Sequence, residues 1–272
     1  MSSIRRFIGA TKGRVVRGSG SAAAWALRHS RRGTLLPGVT VVTVNWNSLS
    51  YLRVMLDAIR AMSPSDTEIL VVDNGSRDGS VEYLRSRTDV RLLRLPVNVG
   101  HGIGLDLGAA MVRTEYIAVL DIDAFPISPQ WLQRSIEALE AGAQIAGAHM
   151  HRNFIHPCFL VTRTGLLRRY GLTFRPVGSL ARLSTSAPLF LDVGEAMAQR
   201  TVVKFGGGTT LHRFEMTEEG SGGVHNAVFG GLVYHNMFAT QGSGQKQALD
   251  HWTQALARFH PDLHVSDGGA VT

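Results

Sequence analysis

Val39-Thr-Val-Val-Thr-Val-Asn45 is a run in which every side chain but the last is β-branched. Such an unbroken run suggests a strand buried on both faces of a sheet, not a strand with one wet face. Upstream, residues 33–38 read as a linker, with Pro37 and Gly38 as breakers. Downstream, the pattern predicts alternating elements. Asn47 or Ser48 can cap a helix running to about Met62, and residues 69–73 form a second apolar strand. Asp73-Asn-Gly-Ser-Arg-Asp-Gly79 is a loop by composition, and Ser80 can cap a short helix. Strands are expected over residues 90–95 and 116–120, with a helix over 103–112 between them. Ser128-Pro129 starts a further helix that Gly142 ends, the proline standing where its missing N–H costs nothing.

Strands alternating with helices at this spacing predict an α/β fold with a mainly parallel sheet flanked by helices. In such sheets ligands bind at the carboxyl ends of the strands. Asn45, Asp73, Asn98 and Asp121 each fall at or just after a predicted strand end, so they are expected to line one crevice. The second half is less regular. Short strands are predicted over residues 159–162 and 228–235, helices over 164–170, from Asp192 to about Arg200 and over 247–258, and a loop over 175–186. The expected organisation is a basic arm over 1–36, an α/β half over 37–150, a less regular half over 151–265 and a disordered tail over 266–272.

The net charge of +7 is unevenly placed. Residues 1–36 hold eight Arg and Lys and no acid, which leaves 20 basic against 21 acidic residues in the rest. The arm carries Ile4, Phe7, Val15, Val16 and Trp25 among its cations, a composition suited to an anionic membrane surface or to solvation as an extension. Nucleic acid is not the expected partner, because no second basic run stands in the body of the sequence. No apolar run reaches the roughly 18–20 residues needed to span a bilayer, and no secretory pattern opens the chain. The single cysteine, Cys158, excludes an internal disulfide framework and a zinc cluster of cysteines. The expected location is the cytoplasm, with peripheral contact at the inner face of the membrane through the arm.

Asp121-Ile-Asp123 closes the fourth predicted strand. Residues i and i+2 at a strand end point the same way, and two carboxylates held so repel unless a cation sits beside them. Hard divalent cations such as Mg²⁺ or Mn²⁺ take oxygen ligands and share them with phosphates. A solvated surface turn would use the same residues, and the position at the end of a buried strand favours the cation. Taken in order, Val41-Val-Thr-Val-Asn-Trp-Asn47, Val71-Val-Asp-Asn-Gly-Ser-Arg-Asp-Gly79, Asn98-Val-Gly-His-Gly102 and Asp121-Ile-Asp123 resemble the family 2 glycosyltransferases of the GT-A fold.

That resemblance implies a hexosyl- or deoxyhexosyltransferase, inverting, that uses a nucleotide-sugar donor and a hydroxyl acceptor in cell-surface glycan or glycolipid assembly. It implies that Val44 and Asn45 border the donor nucleotide, Asp73 contacts the base, Asn98 and Gly100 shape the pocket, Asp121 lies near the ribose and Asp123 binds the metal. His235 resembles a position that approaches the donor phosphates. Relatives often have an aromatic residue in place of His101 and an asparagine in place of Asp106. They supply the catalytic base from the start of a helix in the second half, where Asp192 and Glu195 stand here. Asp-x-x-Glu is also what helix capping alone selects, so the two acids share a capping and a catalytic role between them. Two rival readings remain. Gly102-Ile-Gly-Leu-Asp-Leu-Gly108 resembles the glycine-rich loop of an NAD- or S-adenosylmethionine-dependent Rossmann enzyme, although it follows the third strand instead of the first. An inactive binding module on the GT-A fold is the other.

Overall fold

The structure is a computed structural model that describes residues 33–149, 154–176, 192–218, 226–236 and 245–263, together with Trp25 and His29. The β-branched run lies in β1 (Leu36–Asn45), whose last seven residues are all buried. It is followed by α1 (Leu49–Met62), β2 (Glu68–Asp73), α2 (Ser80–Ser86), β3 (Arg91–Arg94), α3 (His101–Met111), β4 (Thr114–Leu120), β5 (Ala124–Pro126) and α4 (Trp131–Glu140). Then come β6 (Ile145–His149), β7 (Ile155–Arg163), α5 (Thr164–Tyr170), α6 (Glu195–Phe205), β8 (Leu211–Glu218), β9 (Asn226–Phe229), β10 (Val233–Asn236) and α7 (Gln245–Phe259).

All ten strands form one sheet in the order β3-β2-β1-β4-β7-β6-β8-β9-β10-β5. The first four are parallel, as expected of short βα units. Beyond β4 the pairing is antiparallel apart from β6 beside β8, so the sheet as a whole is mixed. The pleat divides β1 between two cores. Val41 joins Leu52, Met55 and Ile59 of α1 and Trp131 and Leu139 of α4 on one face. Val42 and Val44 join Leu105 of α3, Leu167 of α5 and Met197 of α6 on the other. A third cluster of Phe125, Tyr234, Trp252 and Leu256 clamps α7 over β10 and β5.

Several expectations are corrected at element ends. Ser48 makes no side-chain cap for α1; its hydroxyl donates to the Trp46 carbonyl, and Asp78 Oδ2 accepts the Leu49 N–H at 2.9 Å instead. The other oxygen of Asp78 accepts the N–H and hydroxyl of Ser80, so one loop carboxylate serves the starts of α1 and α2. α3 begins at His101, two residues before its predicted start, and α4 begins at Trp131, after the Ser128-Pro129 turn. The single strand expected over 228–235 is a hairpin, β9 to β10, turning at Gly230 (φ 58°) and Gly231 (φ 69°). Two successive positive φ values match the turn that the right-handed strand twist favours. The expected loop over 175–186 and the tail lie almost wholly outside the described residues.

Candidate metal and donor site

The carboxyl ends of β1, β2 and β4 bring the predicted polar residues to one end of the sheet. Asn45 pairs across the ladder with Asp73, and its Nδ2 donates to Asp73 Oδ2 at 3.0 Å and to Ser76 Oγ at 3.1 Å. Asp73 Oδ1 accepts the Ser76 N–H at 3.0 Å, which shapes the turn after β2. Asn98 Oδ1 accepts from Asn74 Nδ2 and from the Gly100 N–H, while Asn74 Oδ1 accepts the Val99 N–H. The loop before α3 is therefore tied to the end of β2, and Gly100 turns at φ 94° with open space beyond its Cα. Val44 does not face this crevice with its side chain; it is buried beneath Gly104 of α3. Asn74 was not singled out in the sequence, although it stands in the Asn-Gly turn signal.

The turn after β4 is pinned from the second half of the chain. The Asp121 N–H donates to the Cys158 carbonyl of β7, the Ala124 N–H to the Asp121 carbonyl, and the Asn236 N–H to the Asp123 carbonyl. His235 lies opposite Ala124 in the β10–β5 ladder. Its Nε2 stands 3.3 Å from Asp123 Oδ1 and 3.9 Å from Asp121 Oδ2. One donor atom from each of Asp121, Asp123 and His235 lies within 4.8 Å of the others, so one cation could reach all three. His101, the first residue of α3, places Nε2 3.0 Å from Asp121 Oδ1 without hydrogen-bond geometry, and both atoms are buried with no hydrogen-bond partner. A buried carboxylate oxygen left in that state fits a site that takes a further ligand.

The charges act on one another. Burial pushes the Asp121 carboxyl up, but the imidazoles of His101, His156 and His235 together outweigh burial and hold it below the usual carboxylate range. Burial alone would lower His235; the charges of Cys158 and Asp123 hold it well above its ordinary value. Tyr51 of α1 is pushed up to about 12, first by burial and then by the Asp123 charge, so its hydroxyl belongs to the same neighbourhood. Cys158 is fully buried beside His156 and His235, which lower its thiol against the opposing effect of burial. The sequence reading set Cys158 aside; its i, i+2 spacing from His156, on a strand running antiparallel to β4, is the signal that places both beside Asp121.

Asp192 and Glu195 separate clearly. Glu195 is buried and its Oε2 accepts the Asp192 N–H at 2.9 Å, the reach-back half of a capping box. The Asp192 carboxylate does not cap α6, whose N-cap is Gly194; it is half exposed, with Oδ2 3.9 Å from His156 Nε2. The His156 ring stacks on His235 with centroids 6.3 Å apart. His149 instead pairs with Glu215 at 2.9 Å, and Asp106 is turned inward to accept from Thr173 Oγ1 and the Phe174 N–H. Gly102, Gly104 and Gly108 lie inside α3, where a Cβ on Gly108 would come 2.6 Å from Val42 Cγ1. Gly104 and Gly108 serve close packing of helix on strand, and Gly102 makes room for the backbone at Phe174 and Arg175.

The sequence profile of glycosyl transferase family 2 matches residues 40–176, half of the chain, from β1 through α5. The chain belongs to glycosyl transferase family 2. Among curated relatives, it is 35% identical over 114 residues to the succinoglycan biosynthesis protein ExoO of Rhizobium meliloti, covering 41% of this chain and 32% of the relative. It is 28% identical over 170 residues to the glycosyltransferase AglE of Haloferax volcanii, covering 58% and 56%. The matched segment thus spans between about a third and just over half of these relatives. A solved glucosyl-3-phosphoglycerate synthase from Mycobacterium tuberculosis, in complex with Mn²⁺ and UDP-glucose, superposes with a TM-score of 0.48 at 15% identity, covering 73% of this chain and 72% of that one. The mixed α/β sheet flanked by helices agrees with the GT-A fold expected from the motifs.

Proposed function

We propose that this family 2 protein transfers a hexosyl or deoxyhexosyl group, with inversion, from a metal-bound nucleoside diphosphate sugar to a hydroxyl acceptor. The observation that carries the reading is the meeting of Asp121, Asp123 and His235 at the carboxyl end of β4. An Asp-Asp-His donor set fits Mn²⁺ better than Mg²⁺, because imidazole suits the softer of the two ions. A divalent cation held by these three residues would neutralise the leaving diphosphate without any proton transfer. Asn45, Asp73, Asn98 and Gly100, with the backbone at Val44, border the nucleotide in the half over residues 37–150, and Asp121 faces its ribose. The half over 151–265 supplies the acceptor side.

The attacking hydroxyl must lose its proton to a positioned base. Asp192 takes that role: its carboxylate is half exposed and faces His156 at the edge of the metal site. Glu195 is occupied in holding the backbone at the start of α6. The name of ExoO points to glycan biosynthesis, and a membrane-proximal or lipid-linked acceptor suits the eight cations of residues 1–36. The protein then works on the cytoplasmic side, held peripherally at the membrane by its arm. Among the described residues no helix is long and apolar enough to cross a bilayer.

Donor hydrolysis with UDP-, GDP- and dTDP-sugars in the presence of Mn²⁺ tests the reading. Asp123→Ala should abolish metal-dependent turnover and leave the circular dichroism unchanged. Asp192→Asn should lower transfer to acceptor by about 10²- to 10⁴-fold, the range for a general base, while metal and donor still bind. Glu195→Gln should keep most of the activity. Full turnover in Asp123→Ala would sink the proposal, and an inert Glu195→Gln beside an active Asp192→Asn would reverse the assignment of the base.

A further inference from the structure

The far end of the sheet from the candidate metal site carries a second basic surface, which corrects the expectation that the body of the chain holds none. α5 (Thr164–Tyr170) and residues 196–205 of α6 hold Arg168, Arg169, Arg200 and Lys204 without a single Asp or Glu. The fold brings the two segments together where the C-terminus of α5 meets that of α6. The Tyr170 ring packs edge-on against Phe205 at 5.4 Å, with Arg169 and Lys204 each 5.6 Å from its centroid. A cavity of about 190 Å³ opens between Tyr170, Leu172, Arg200, Thr201, Lys204 and Phe205. Beside the cations, Val203 is 87% exposed and Phe205 41% exposed, so apolar and cationic groups share one surface.

The arm joins the body at the same place. Leu35 approaches Gly165 of α5, the Leu36 N–H donates to the Arg113 carbonyl, and Arg168 donates to the Val112 carbonyl next to it. Leu36 is itself 57% exposed. The arm with its eight cations and no acid therefore enters the folded body beside a second basic and apolar surface.

We propose that the Tyr170–Phe205 surface at the ends of α5 and α6 seats the protein on an anionic lipid bilayer. It rests on the membrane-proximal reading above and extends it from the arm to the folded body. Cations attract the anionic headgroups, while Val203, Phe205 and Leu36 enter the interface. The exposed apolar side chains favour a bilayer over nucleic acid, where phosphate contacts would call for cations and polar groups alone. Contact at the foot of the sheet also leaves the opposite, catalytic end free for donor and acceptor.

Sedimentation of the full chain with phosphatidylglycerol–phosphatidylcholine vesicles tests this. Each cation near an anionic leaflet multiplies partitioning by about fivefold. The triple variant Arg169→Gln, Arg200→Gln, Lys204→Gln should bind at least tenfold more weakly, and Val203→Ser with Phe205→Ser should weaken binding without any change in charge. Both variants should stay folded by circular dichroism and keep the wild-type donor hydrolysis. A second full-length variant, with Arg5, Arg6, Lys12, Arg14 and Arg17 changed to Gln, measures the arm. If the arm variant detaches while both patch variants bind like wild type, the inference fails and the arm reading stands. If the wild type ignores anionic vesicles, both fail. Loss of binding to duplex RNA with vesicle binding intact would also overturn it.

Discussion

At the scale of single residues, the site is governed by competition between protons and metal for the same atoms. His235 is held well above its ordinary value, against the effect of burial, by the charges of Cys158 and Asp123. At neutral pH the imidazole therefore carries a proton where a cation would bind. A metal must displace it, so apparent affinity should rise with pH by up to about tenfold per unit below the raised pKa of His235, and level off above it. Calorimetric titration with Mn²⁺ in two buffers of different ionisation enthalpy should report close to one proton released per ion bound at pH 7. His235→Gln should bind more weakly and lose most of that release and of the pH slope. A pH-independent affinity in the unaltered protein would show that His235 is not a ligand. The residues that answer this question were unequally visible in the sequence. Asp121 and Asp123 stood out because they end an apolar run, and His235 because it follows another. Asp192 and Glu195 could not be told apart, because the spacing of a capping box is also the spacing of a base on a helix start. Only the bond from the Asp192 N–H to Glu195 Oε2 separates them.

At the scale of elements, helix α3 shows why the glycine-rich stretch misleads. Its glycines resemble a phosphate loop only loosely, with one residue too many before the third, and Gly104 rests on Val44 and Gly108 on Val42 and Val72. Helix and sheet approach too closely there for any side chain. Gly108→Ala should destabilise the protein by about 1–3 kcal/mol, since the stiff valines of a buried strand cannot move aside. By contrast, Gly165→Ala in α5 meets only Leu35 at 4.0 Å and should not destabilise. Urea denaturation of the two variants tests the pair, and equal midpoints would show that the α3 contact has slack. Elements with strong periodicity were legible: β1, β2, β4, α1 and the closing helix all fall close to their expected places. Those without it were not. β5 has only three residues, and its pairing with β10 exists only in the assembled sheet. β6 is Ile-Ala-Gly-Ala-His, poor in the residues that favour strands. In β8, Leu211 and Phe214 stand three apart, a helical interval.

At the scale of the molecule, the two halves read from the sequence are not independent bodies. β4 of the first half pairs with β7 of the second along five residues, and β5 of the first closes the far edge against β10. The candidate metal site sits on that seam, with Asp121 and Asp123 on one side and His235 on the other, joined by backbone bonds to Cys158 and Asn236. A cut near residue 150 would bare the edge of β4 and uncover the face of the sheet beneath α5 and α6. The chain should therefore unfold in urea as one cooperative unit. Trp131, buried against α1, and Trp252, buried under β10, report on the two halves. In single-tryptophan variants their fluorescence should give the same midpoint as far-ultraviolet circular dichroism. Mn²⁺ at about a hundred times its dissociation constant should move both probes together by roughly 2.7 kcal/mol, because a ligand across the seam stabilises whatever the seam joins. It should move neither probe in Asp123→Ala. Two separated transitions, with only the Trp252 transition shifted by metal, would mean that the halves fold apart and that the site assembles after them.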